Sequence, residues 1–172
     1  MEMAEMKDEL VSLNTTNASH RLILLHGWGA DAEDLLSLGE VLQESLLGKI
    51  EVIAFRAPHA HPEGGGRQWY SLYPHDWEEA AIAEDDLQSK IEAISSKEFP
   101  LEKTFILGFS QGGAMALATG CKLPVAGIIC CSSYPHPNWK IPQQVPPIFL
   151  THGKNDDVVP LIAMKEIMKL LE

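Results

Sequence analysis

The stretch TFILGFSQGGAMALA, residues 104–118, holds the reading of this chain. Thr104 to Leu107 form a short apolar run of the kind found in buried strands, and Ala114 to Ala118 form a run suited to a closely packed helix. Between them lies Gly108-Phe109-Ser110-Gln111-Gly112, a serine flanked by glycines where strand gives way to helix. A tight strand-to-helix turn needs small flanking residues so that the two backbones can pass. It lifts the serine hydroxyl above the end of the sheet. The helix start behind it presents unpaired N–H groups and a positive dipole end. Ser110 is therefore expected to be a nucleophile, with the Gln111 N–H donating to a developing oxyanion.

Working outward, similar apolar runs occur at residues 21–26, 50–55, 125–131 and 147–151, each nearly continuous in aliphatic residues. Strands buried on both faces have this composition. Helical periodicity fills the gaps: Leu35, Leu38, Leu42 and Leu46; Ala80, Ala83, Leu87, Ile91 and Ile94; and Leu161, Met164, Met168 and Leu171. Gly48 stands where a helix C-cap belongs, and Asp76 with Glu79 reads as a capping box. Alternation of strand and helix predicts an α/β fold, a doubly wound, mostly parallel sheet with helices on both faces. Residues 1–19 are expected to be a polar arm with a short strand near Leu10 to Leu13, and residues 20–172 one domain. Two long irregular segments, 56–77 and 132–147, are of the length that often carries function.

Charge and composition narrow the partners. With 24 acidic and 13 basic side chains the net charge is −11, which repels phosphate backbones, so no nucleic acid is expected. No apolar run reaches the ~20 residues of a membrane span, so no stable membrane insertion is expected. The acidic N-terminus lacks the pattern of a signal peptide, and Cys121, Cys130 and Cys131 have no metal-ligand spacing. They read as buried thiols of a cytoplasmic protein. His59, His61 and His75 do not amount to a zinc site, and neither metal nor other cofactor is expected.

Two further segments leave strand ends at the same edge as Ser110. LLHGWGAD, residues 24–31, offers the Trp28 N–H as a second oxyanion donor, with Gly27 and Gly29 letting the backbone approach. His26 reads as a strand-end residue bonding the loop backbone. THGKNDDVVP, residues 151–160, supplies a carboxylate to orient a histidine, either Asp156 or Asp157.

LLHGWGADAEDLLSL, RAPHA with GGRQWYSL, GFSQGGAMAL and HGKNDDVVP, in that order, resemble the carboxylesterase/acyl-protein thioesterase family of α/β-hydrolases. The resemblance implies Ser110 as nucleophile, Trp28 and Gln111 as oxyanion hole, and Asp156 as the triad acid. It implies a substrate site near Trp69 and Tyr70 and an ester or thioester of an acyl chain as substrate. It also implies a further strand and a catalytic histidine after Asp156. Here the histidines are 20, 26, 59, 61, 75, 136 and 152, all before Asp156. The family's final strand and helix are thus expected to be missing, as in a fragment of a longer hydrolase. Alternatives are a short variant recruiting His136 as base, or a catalytically silent binding domain.

Overall fold

The chain forms a six-stranded sheet in the order β1-β3-β2-β6-β7-β8, in a computed structural model that describes residues 8–137 and 139–172. The strands are β1 (Leu10–Leu13), β2 (His20–Leu25), β3 (Ile50–Phe55), β6 (Thr104–Phe109), β7 (Gly127–Cys131) and β8 (Ile148–Thr151). A separate two-stranded ribbon pairs β4 (His59–Ala60) with β5 (Arg67–Gln68). Only β1 runs antiparallel in the main sheet; every other neighbouring pair is parallel. The five apolar runs all became strands because both faces of the central ones are covered: β3 is buried at all six positions.

Segment 1–7, expected as part of a polar arm, lies outside the described residues. Leu10–Leu13 is the short strand expected there. Leu10 is buried in the main core, and Arg56 N–H donates to Glu9 O at 2.8 Å, so this segment closes the sheet edge beside β3.

Helices α2 (Trp77–Ala93), α3 (Gln111–Gly120) and α4 (Ile162–Leu171) share one core with Ile23, Ile53, Ile106 and Ile128. Helix α1 (Leu36–Ser45) flanks a second core, built on the other face from Leu22, Leu24, Val52 and Leu107. Every residue of α3 is buried, which its alanines and glycines permit. Gly120 shows how tightly it lies: a Cβ there would stand 2.8 Å from Ile128 Cδ1.

Two helical stripes face differently from expectation. Leu38 and Leu46 of the first stripe are exposed, and Gly39 is the buried residue of α1. A Cβ at Gly39 would come within 2.9 Å of Val52 Cγ1, so the helix docks through its glycine and turns two leucines outward. Helix α4 buries Ala163 and Ile167, leaving Met168 exposed. Lys165, Glu166 and Lys169 gather on its exposed face, and packing centres the apolar face on Ala163 and Ile167 rather than on the expected methionines. The stripe of α2 is buried as expected.

The chain steps from β2 to β3 on one side and then to β6 on the other. Loops leaving β2 and β6 therefore diverge, and their C-terminal ends form the switch point at which open α/β sheets place a crevice. Gly27 and Ser110 both lie there.

Candidate active site

Ser110 stands between β6 and α3 with φ 52° and ψ −117°, a conformation that costs a non-glycine residue about 1–3 kcal/mol. Its backbone is pinned on both sides: Ser110 N–H donates to Cys131 O at 2.9 Å, and Gly113 and Ala114 donate to Ser110 O. The Ser133 hydroxyl also donates to Ser110 O, at 3.1 Å. Gly108 and Gly112 are required here. A Cβ at Gly108 would lie 2.2 Å from Gly112 O, and one at Gly112 would lie 2.2 Å from Leu25 O.

The loop after β2 reaches the same point. A Cβ on Gly27 would meet Ser110 Cβ at 3.5 Å. Among the described residues neither the Trp28 N–H nor the Gln111 N–H donates a hydrogen bond to the protein. Two unspent donors thus belong to Gln111, which follows the serine, and to Trp28, which follows Gly27. His26 bonds the loop backbone, as its position at the strand end foretold: Nδ1 is 2.8 Å from Gly27 O, and Nε2 accepts from Ala57 N–H at 3.0 Å. Burial lowers its pKa and keeps the ring neutral.

The third strand end brings Asp156. Its carboxylate accepts from Val159 N–H at 2.9 Å and Val158 N–H at 3.0 Å. The Val159 bond, then the Ser132 hydroxyl, hold its pKa below the ordinary range. Asp157 is exposed, as expected of the solvated neighbour. Ser132, with φ 47°, donates its N–H to Thr151 O at 2.8 Å, so the ends of β7 and β8 stay together beside the elbow. His152 Nε2 lies 3.8 Å from Asp156 and donates to Val159 O at 2.6 Å.

Trp69 and Tyr70, expected beside a substrate, are buried, at 2% and 0% exposure. Their polar ends are engaged inward. Trp69 Nε1–H donates to His26 O at 2.9 Å, and the Tyr70 hydroxyl bonds Tyr134 Oη at 2.9 Å and His136 Nε2 at 2.8 Å. The side chain of Gln111 explains their placement. Its Oε1 accepts from Trp69 N–H at 3.0 Å and its Nε2 donates to Tyr70 O at 2.8 Å. Sequence reading used only the backbone of Gln111. A glutamine made fully buried by the turn it occupies needs partners for both polar atoms of its side chain, and that demand was the available signal.

His136, the alternative base, is held in a network of its own. Its Nδ1 bonds Glu84 Oε1 at 2.7 Å and its Nε2 bonds Tyr70, so both ring nitrogens serve a buried network under the proline-rich segment. Burial alone would raise the Glu84 pKa; bonds from His136 and Lys122 outweigh it and hold the carboxyl below the ordinary range. A depressed folded pKa means stability that is present above the unfolded value, about 4.3, and lost as pH falls through the folded one. Glu84→Gln is therefore expected to be less stable than wild type at pH 7, with the gap closing as pH falls below about 4.3. Urea unfolding at several pH values measures it; a gap constant down to pH 3 would contradict the account.

The sequence matches that of the phospholipase/carboxylesterase family over residues 6–172. The chain belongs to this family. An acyl-protein thioesterase 1 of Neurospora crassa is 31% identical over 166 residues, covering 80% of this chain and 67% of that protein. One from Saccharomyces cerevisiae is 28% identical, covering 84% and 73%. Among solved structures, esterase PE8 matches with TM-score 0.82 and 30% identity, covering 95% of this chain and 83% of that one. The Bacillus cereus carboxylesterase matches with TM-score 0.81 at 19% identity, a likeness of fold. The family and these neighbours establish the α/β-hydrolase fold and a hydrolase of esters or thioesters. No helix among the described residues is long and apolar enough to cross a membrane.

Proposed function

We propose that this domain cleaves carboxylic esters or thioesters of acyl chains through an acyl-enzyme on Ser110. The observation that carries the reading is the strained Ser110 backbone, held beside Gly27 at the crevice between β2 and β6. In the reaction the Ser110 oxygen bonds the acyl carbon, its proton passes to a base, and the carbonyl oxygen becomes an oxyanion. The N–H groups of Trp28 and Gln111 receive that charge; its collapse breaks the ester C–O or thioester C–S bond, the departing alcohol or thiol takes the proton from the base, and water then cleaves the acyl-enzyme to release the acid. Asp156 is the acid that would orient a protonated base. Three unpaired cysteines, with the Cys121 thiol pushed up by burial to about 12, suit a reducing cytoplasm.

The test is covalent labelling by a fluorophosphonate, with the modified residue located by peptide mass. Ser110 should carry the label, and Ser110→Ala should carry none. Labelling spread over other serines would sink the assignment. A second reading, a catalytically silent acyl-binding domain, is favoured by one observation: no histidine hydrogen-bonds the Ser110 hydroxyl among the described residues. Stoichiometric acyl-ligand binding without any label on Ser110 would select it.

A further inference from the structure

We infer that Gln68 is the positioning residue of the oxyanion loop, fixing the Trp28 N–H by gripping the indole of the same residue. The inference rests on the proposed role of that N–H. Trp28 stands between Gly27 and Gly29, the latter at φ 81°, in a turn closed by a long bond from Ala30 N–H to Gly27 O at 3.3 Å, so its peptide planes are loosely held by the loop's own backbone. A donor that must meet developing charge cannot be left to rotate, because a misplacement of about 1 Å costs up to about a hundredfold in rate.

The β4–β5 ribbon supplies the constraint. Gln68 Oε1 accepts from Trp28 Nε1–H at 2.8 Å. Gln68 is itself buried, and its other end, Nε2, is 3.5 Å from the Ser71 hydroxyl. Two backbone bonds flank that grip: Gly29 N–H donates to Arg67 O and Arg67 N–H donates to Ala30 O, both at 2.9 Å. Gly66 permits the approach, since a Cβ there would fall 2.0 Å from Gly29 O. His61 closes the other side, its ring meeting the Trp28 indole edge-on at 4.1 Å. Ribbon and loop are thus joined at main chain and side chain, and the side-chain bond is the one that acts on Trp28 itself.

Gln68→Leu removes the acceptor at similar size; Gln68→Glu keeps an oxygen in its place. Trp28→Phe removes the donor and leaves a ring against His61. Amide hydrogen exchange reads the loop without any need for turnover. Protection of the Gly29 and Arg67 amides should fall at least about tenfold in Gln68→Leu and Trp28→Phe, with β2 and β6 amides unchanged and Gln68→Glu near wild type. Ester kinetics add the catalytic readout: kcat should fall about ten- to a hundredfold in Gln68→Leu with KM held, the mark of an interaction made only in the transition state. Gln68→Glu should restore it. Unchanged exchange at Gly29 in both variants, or a Gln68→Glu no better than Gln68→Leu, overturns the inference. A wild-type chain without Ser110-dependent turnover would sink the proposed activity instead, and exchange alone would then decide the clamp.

Discussion

The purified 172-residue chain is expected to cleave p-nitrophenyl acetate through Ser110 far more slowly than the roughly 1–1000 turnovers per second of ordinary enzymes. An alcohol is a poor nucleophile at neutral pH unless a base takes its proton as the bond forms. The histidines best placed by sequence are engaged elsewhere. His26 is kept neutral by burial and has loop backbone on both nitrogens. His136 is spent on Glu84 and Tyr70. His152 directs Nε2 to Val159 O. A serine hydrolase stripped of one triad member keeps about 10³–10⁴-fold catalysis over water, from the oxyanion hole and binding alone. The residual rate should therefore be measurable above Ser110→Ala and should rise when free imidazole is added, after subtraction of the Ser110→Ala background. Ordinary esterase rates abolished in Ser110→Ala would refute this and show that the chain has its own base. His152, 3.8 Å from Asp156, would then be mutated first.

What the sequence disclosed depended on how local the cause was. The elbow was legible because the requirement for small residues falls on Gly108 and Gly112, within two positions of Ser110. The strands were legible because burial on both faces leaves an unbroken aliphatic run. Asp76 was recognised as a helix cap and does accept from Glu78 and Glu79 N–H, but the reciprocal half of the box is absent. Asp76 N–H goes to Ser71 O instead, and the Glu79 carboxylate takes Ser71 N–H at 2.5 Å. The box that does form, Asp31 with Asp34, went unread. Contacts spanning long stretches of chain were invisible. Trp28 and Gln68 are 40 residues apart, and His136 and Tyr70 are 66 apart; nothing in either neighbourhood announces the other. The same network explains why the aromatic pair is buried. Trp69 and Tyr70 look like pocket walls in sequence because they are large and amphipathic. Buried acceptors on His26 and His136 drew their polar ends inward, as buried indole and phenol groups require.

Gly112→Ala is expected to lower the unfolding free energy by about 3–5 kcal/mol, the range kept for substitutions that violate backbone packing or strain. The added carbon would stand 2.2 Å from Leu25 O and 2.5 Å from His26 O. Both obstacles are main chain at the end of β2, so no rotamer change can relieve them. The strand and the first turn of α3 would have to separate. Ordinary overpacking, at about 1–3 kcal/mol, lets side chains share the displacement. Gly113→Ala should fall between the two cases, since Ser133 Cβ, at 2.7 Å, moves only with its backbone while Ser133 Oγ, also at 2.7 Å, can rotate away. Gly153→Ala serves as the control: its Cβ would meet Asp156 at an ordinary 3.6 Å without a positive φ. It should be neutral or stabilising by up to about 1 kcal/mol through the unfolded chain. Ser110→Gly should shift the balance the other way, gaining about 1 kcal/mol from relief of the strained φ, net of glycine's own entropy cost, while losing every Ser110-dependent reaction. Urea unfolding of the four variants measures all of this on one scale. If Gly112→Ala falls within about 0.5 kcal/mol of Gly153→Ala, the size of an ordinary surface change, the close approach of β2 and α3 does not hold the crevice together.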